Sequence, residues 1–234
     1  MIELKLNRIL LNGEPISYTD VYGRNNRSGI FYNALDKGNI KGLNSVLYKE
    51  AYDIFEEKTP VKIFDYLRNT PFFIAPASTS FHYNCIGGLL LHSVNVMLKY
   101  EEMFRDSKVP YLALLFHDFG KAFIYKPNLE PFPTYKNSQK YWKPFVIENK
   151  FLSVRDMTIY KLGELGGIFP YFCFSDEVLQ AIAIHDNNWG NNSQNAYYSY
   201  DKVDKIALEF QAADSISTKE EPSYNETNIT EDML

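Results

Sequence analysis

The sequence predicts a mainly α-helical domain with a small N-terminal β appendage, on three observations. Apolar residues recur at three- and four-residue spacing along most of the chain between Leu43 and Ser217. Only the opening Ile2-Glu-Leu-Lys-Leu-Asn-Arg-Ile-Leu10 alternates apolar and polar side chains as a strand does, ahead of Asn12-Gly13, a strong hairpin-turn pair. Helix start and stop residues flank the periodic segments.

Taken in order, residues 1–45 form the appendage: the strand, the turn, and a Gly- and Asn-rich loop from Tyr22 to Gly29. Residues 46–218 form the helical domain. Its first helix is expected over Leu43 to Glu57, and a second follows Gly87-Gly88, carrying Leu89, Leu90, His92, Val96, Met97 and Tyr100 on its apolar face. A third begins near Pro110, a favoured first-turn residue, and runs to Gly120. Ser153 with Asp156 makes a start signal for a helix that Gly166-Gly167 should end, and Ser175-Asp-Glu opens another that reaches His185. After an Asn-rich loop from Asn187 to Asn195, a last helix spans about Asp201 to Ser217. Residues 219–234 carry five acids (Glu220, Glu221, Glu226, Glu231, Asp232) against Lys219 and are expected to be a disordered acidic tail.

Length and composition narrow the class. A chain of 234 residues that is 45% hydrophobic can bury one sizeable core. Mean hydropathy of -0.30 and the absence of a long uncharged apolar run argue against a membrane span. Cys85 and Cys173 are the only cysteines, and the first residues show no basic-then-apolar leader, so a reducing cytoplasm is the expected compartment. A net charge of -5 speaks against a long duplex footprint. One local exception runs from Lys121 to Lys150, where lysines 121, 126, 136, 140, 143 and 150 interleave with Tyr125, Phe132, Tyr135, Tyr141 and Trp142. Such a mixture can hold phosphates and stack bases, or can be an ordinary solvated loop anchored by its aromatics.

The residues that carry chemistry begin with His117-Asp118, directly behind the apolar run Leu112-Ala-Leu-Leu-Phe116. An imidazole and a carboxylate behind such a run are costly to bury without a compensating charge, and a divalent cation supplies one. His92 is likewise surrounded by apolar neighbours, and Asp214 falls on the stripe Val203, Ala207, Phe210, Asp214, where an apolar residue belongs. Singly, His92 reads as a satisfied core histidine and Asp214 as half of an ion pair. Together, two imidazoles and two carboxylates make a mixed nitrogen and oxygen ligand set with positions left for water and substrate.

The order His92, His117-Asp118, Asp214 resembles that of the HD-domain metal-dependent phosphohydrolase superfamily. Phe72-Phe-Ile-Ala-Pro-Ala-Ser-Thr-Ser-Phe-His-Tyr83 with Gly87-Gly-Leu-Leu-Leu-His-Ser93 is similar to a bacterial and phage subgroup and, more distantly, to the HD domains of 3′-5′ exoribonucleases. The likeness covers Pro71 to Thr218. It implies an HD-type helical bundle in which His92, His117, Asp118 and Asp214 hold one divalent ion, drawn from Mn²⁺, Fe²⁺, Mg²⁺, Co²⁺, Ni²⁺ and Zn²⁺. The implied reaction is cleavage of a phosphoester of a nucleotide or related phosphodiester by attack of metal-bound water. Asp118, Lys121 and His185 would be catalytic, and His82, Lys121, His185 and Asp186 would contact substrate. Lys121 competes with a plain surface lysine, and His185 with a histidine placed at a helix C-terminus by its dipole.

This chain departs from the superfamily's two-metal members, which add histidines between the His-Asp pair and the final Asp. Here that interval holds His185 alone, and Ser153-Val-Arg155 stands where related phage-type chains carry Gly-His-Gly. Two alternatives therefore stand beside the hydrolase: a 3′-5′ exonuclease that tracks single-stranded nucleic acid along Lys121 to Lys150, and a non-catalytic module that binds a nucleotide or a partner, including a second copy of itself.

Overall fold

The structure, a computed structural model, describes residues 45–73, 75–84, 87–105, 109–127, 143, 145–147, 152–185 and 204–221. It also describes the backbone of three strands within residues 2–16. Side chains are described from residue 50 on. The loop from Tyr22, the Asn-rich loop, Asp186 and residues 222–234 lie outside these ranges.

The appendage is a three-stranded antiparallel meander of β1 (Ile2–Lys5), β2 (Arg8–Leu11) and β3 (Glu14–Ile16). Leu11 pairs with Glu14 across Asn12-Gly13, as the turn pair predicts, but the expected single opening strand is two, with Lys5 paired to Arg8. A two-residue connection closes each hairpin.

The rest is helical: α1 (Ser45–Lys58), α2 (Val61–Leu67), a 3₁₀ turn (Pro71–Phe73), α3 (Gly88–Met103), α4 (Tyr111–Leu115), α5 (Lys121–Ile124), α6 (Val154–Ile168), α7 (Asp176–Ile184) and α8 (Lys205–Glu220). Between α5 and α6, β4 (Tyr125–Pro127) pairs antiparallel with β5 (Phe145–Ile147). Helix α3 is central, packed by α1, α4 and α8, while α7 bridges α6 and α8. No described helix is long and apolar enough to cross a membrane.

Three departures from the sequence reading have physical causes. Helix α6 runs through Gly166-Gly167, which sit inside it without strain, and stops at Phe169 (φ -122°, ψ 90°). Pro170 follows, and the residue before a proline is pushed out of the helical region. The segment expected to be one helix from Pro110 to Gly120 is broken at Phe116, and residues 116–120 turn with three-residue bonds such as Phe119 N to Phe116 O (3.1 Å) and Lys121 N to Asp118 O (2.9 Å). Gly120 explains where the chain then goes. Its N–H donates to Thr158 Oγ1 at 2.9 Å, and a Cβ there would stand 2.5 Å from both Thr158 N and Val154 O, so only glycine lets this turn press against α6. Finally, the last helix starts at Lys205, capped by the Asp204 side chain on Ile206 N (2.8 Å), and extends three residues past the expected Ser217. Lys219 and Glu220, read as tail, belong to it.

The core explains the abundance of phenylalanine. Phe55, Phe72, Phe116 and Phe119 form one buried aromatic cluster, with Phe55–Phe72 centroids 5.0 Å apart and Phe116–Phe119 5.4 Å. Phe116 and Phe119 bracket His117-Asp118, so the turn carrying the doublet is bolted to the core at both ends.

Candidate metal centre

Four elements deliver the polar cluster. Helix α3 brings His92, the turn before α5 brings His117 and Asp118, α5 begins with Lys121, and α8 brings Asp214. His92, His117 and Asp118 are essentially fully buried, and three of their ligand atoms lie within 4.8 Å of one another. His92 Nε2 is 3.2 Å from His117 Nε2, 3.3 Å from Asp118 Oδ2 and 3.2 Å from Asp214 Oδ1; His117 Nε2 is 3.3 Å from Asp118 Oδ2. Donors about 2.1 Å from one ion at octahedral or tetrahedral angles stand roughly 3.0–3.4 Å apart. His92, His117 and Asp118 have the spacing of ligands around a shared cation, while Asp214 Oδ1 lies close to His92 and 4.0 Å from His117 Nε2.

The outer hydrogen bonds of the histidines decide which lone pairs face inward. A carbonyl oxygen can only accept, so His117 Nδ1–H donates to Leu114 O (2.7 Å) and His185 Nδ1–H to Ile182 O (2.6 Å). His92 Nδ1 lies 2.9 and 3.1 Å from the two oxygens of Glu221, an ionised carboxylate, and therefore carries a proton as well. In each neutral ring Nε2 is left as a lone pair aimed at the cluster. Two such nitrogens facing each other at 3.2 Å beside two carboxylates repel unless a cation, a proton or a metal, sits among them.

Electrostatics agree. Burial alone would push the carboxyls of Asp118, Asp214 and Glu221 up and the His92 imidazole down. Instead Lys121 and His117 hold Asp118 well below the usual carboxylate range, and His92 holds Asp214 and Glu221 down. His92 is raised well above an ordinary imidazole by Glu221, with Asp118 and Asp214 contributing. With His92 neutral, the carboxylates of Asp118, Glu221 and the partly buried Asp214 against the ammonium of Lys121 leave two negative charges, which one divalent ion balances; without an ion, the raised His92 takes up a proton instead.

The buried His92, His117 and Asp118 can thus hold a metal ion; Asp214, the fourth expected ligand, approaches this group at His92 Nε2, 3.2 Å away. Asp118 Oδ1 has no hydrogen-bond partner among the described residues; His185 Nε2 stands 3.7 Å from it. This buried, unsatisfied oxygen fits a carboxylate whose coordination is incomplete.

The other expected residues also converge. Lys121 is buried, not a surface lysine, and its Nζ is 2.5 Å from Asp118 Oδ2. The His82 ring lies tilted against His92 with centroids 4.8 Å apart, and both of its ring nitrogens are buried without a hydrogen-bond partner among the described residues. Burial, with His92 and Lys121 nearby, lowers its pKa to about 4, so the His82 ring is neutral near pH 7. Gly87-Gly88 make this approach feasible: Gly87 is left-handed (φ 74°), and a Cβ on Gly88 would lie 2.0 Å from Tyr83 O. Asp186 lies outside the described residues. Helix α4 is five residues long and stops at Leu115, so His117-Asp118 follow it in a turn and do not end a long helix.

Sequence reasoning missed Glu221. Its signal was its position seven residues after Asp214, two helical turns along the same face. Compared against protein families, curated proteins and solved structures, the chain matches none of them.

Proposed function

We propose that the protein is an HD-type metal-dependent phosphohydrolase that cleaves a phosphoester of a nucleotide or related phosphodiester. The observation that carries the reading is the convergence of His92 Nε2, His117 Nε2 and Asp118 Oδ2, with Asp214 Oδ1 beside His92 and both imidazoles locked in the metal-binding tautomer. Two imidazoles in the set favour a transition metal such as Mn²⁺, Fe²⁺, Co²⁺, Ni²⁺ or Zn²⁺ over Mg²⁺. When bound, such an ion acidifies water and polarises a phosphoryl oxygen.

The chain's own residues supply the rest. Lys121, fixed by Asp118, presents an ammonium that neutralises charge on a phosphoryl oxygen, where a preorganised cation in a dry site acts strongly. His185 turns its Nε2 toward Asp118 and can accept a proton there, and neutral His82 can donate a hydrogen bond to a phosphate oxygen. Asp118 orients water through its unsatisfied Oδ1.

The test is a hydrolysis screen of nucleotides and short single-stranded oligonucleotides with the Mn²⁺- or Co²⁺-loaded protein. Release of phosphate or nucleoside supports the proposal, and stepwise shortening of the oligonucleotide supports the exonuclease instead. Metal uptake with no turnover across the panel supports a binding module. H117A and D214A should abolish both metal uptake and turnover; hydrolysis by either metal-free variant contradicts the assignment.

A further inference from the structure

We propose that Glu221 is a positioning residue of the metal centre, orienting His92 from behind and raising the basicity of its Nε2. This rests on the reading that His92 holds a metal.

Glu221 is the first residue after α8 and lies in the acidic end of the chain, where a carboxylate is normally solvated. It is instead 8% exposed, and both of its oxygens face His92 Nδ1 at 2.9 and 3.1 Å. Asn95, three residues after His92 on α3, donates its side-chain Nδ2 to Glu221 Oε1 (3.3 Å) and to Tyr83 Oη (3.2 Å). The carboxylate is therefore aimed by a second polar side chain. Its own N–H donates to Ser217 O at 3.0 Å, which fixes where the helix delivers it.

Asp214 and Glu221, seven residues apart on α8, address the two nitrogens of the same imidazole, one at Nε2 and one at Nδ1. A carboxylate on the far nitrogen of a ligating histidine fixes its tautomer and ring orientation and makes the near nitrogen a stronger donor. Because His92 Nδ1 carries the proton given to Glu221, that face of the ring is not itself free to ligate. His82, His92 and Glu221 do lie close enough to hold an ion, so a second metal there is the rival the experiment must separate.

The experiment titrates full-length wild type, E221Q and E221A with Co²⁺ against a competing chelator, reading the visible absorption of bound Co²⁺. Melting of each metal-free protein is measured alongside. Outer-shell partners of this kind are worth about 10- to 100-fold in metal affinity. E221A should bind Co²⁺ weaker within that range, and E221Q, which keeps an acceptor but loses the charge, at its lower end. The visible spectrum of saturated E221Q should also differ from wild type while its metal-free melting does not, a change that a purely structural contact would not produce. Should E221A fail to fold, the isosteric E221Q decides alone. Wild-type affinity and spectrum in E221Q overturn the role of Glu221 while leaving the metal centre standing. A second equivalent of Co²⁺ in wild type that E221Q lacks makes Glu221 a ligand and likewise overturns it. A wild-type protein that takes up no Co²⁺ removes both readings together.

Discussion

The two halves of the centre are built differently. The doublet half, His117, Asp118 and Lys121, is local: it sits within one turn, its histidine is oriented by a carbonyl three residues back, and Phe116 and Phe119 anchor it in the aromatic core. The half contributed by α3 and α8 is assembled across the chain. His92 is oriented by a carboxylate 129 residues away, and the two meet only because α3 and α8 pack along their lengths. The first half should therefore fail when packing fails, and the second when charge is changed.

The largest expected effect separates them by packing. Phe116 is completely buried and touches Phe55, Phe72, Phe119 and Phe172. F116A should cost roughly 3–5 kcal/mol, the usual range for removing a buried aromatic. Urea denaturation checks this, and a loss under about 1 kcal/mol would show that the doublet does not depend on the aromatic floor.

A smaller effect belongs to the contact between the turn and α6. T158V preserves shape but removes the acceptor of Gly120 N–H, leaving a buried donor unpaired at about 1–3 kcal/mol. Denaturation gives the cost, and Co²⁺ affinity should fall with it because Gly120 is two residues from Asp118.

The third effect is one of pH and belongs to the other half. In the metal-free protein the raised pKa of His92 contributes stability that is complete below the ordinary imidazole value and is lost as pH rises through the raised one. The depressed carboxyls of Asp118 and Glu221 contribute stability that is present above the ordinary carboxylate range and lost in acid. Melting of the metal-free protein should therefore decline on the alkaline side, and Co²⁺ should remove that decline, since the ion takes the place of the proton on His92 Nε2. Identical alkaline melting with and without Co²⁺ would mean that the proton and the metal do not share a site.

The same contrast explains what could be read from the sequence. His117-Asp118 was legible because its oddity is local: two polar residues directly behind an apolar run. His92 and Asp214 were legible as polar residues on apolar stripes of periodic helices, and the starts of α6 and α7 were legible from their caps Ser153 and Ser175. The break at Phe116 was not legible, because it is imposed by the fit of Gly120 against α6. The β4–β5 pairing was hidden by three-residue strands, of which only Phe145 is buried among the residues of β5. Glu221 was hidden by its setting among acids and by a partner far away in the chain. Its burial depends on α8 running to Glu220, and no local signal near Thr218 requires that.

The most direct measurement of the central claim is a Co²⁺ titration of the wild-type protein and of H117A, with far-UV circular dichroism to show that both are helical. The arrangement of His92, His117, Asp118 and Asp214 predicts one tightly held equivalent per wild-type chain and none in H117A. A helical wild-type protein that binds no Co²⁺, or an H117A variant that binds it as tightly as wild type, would contradict it.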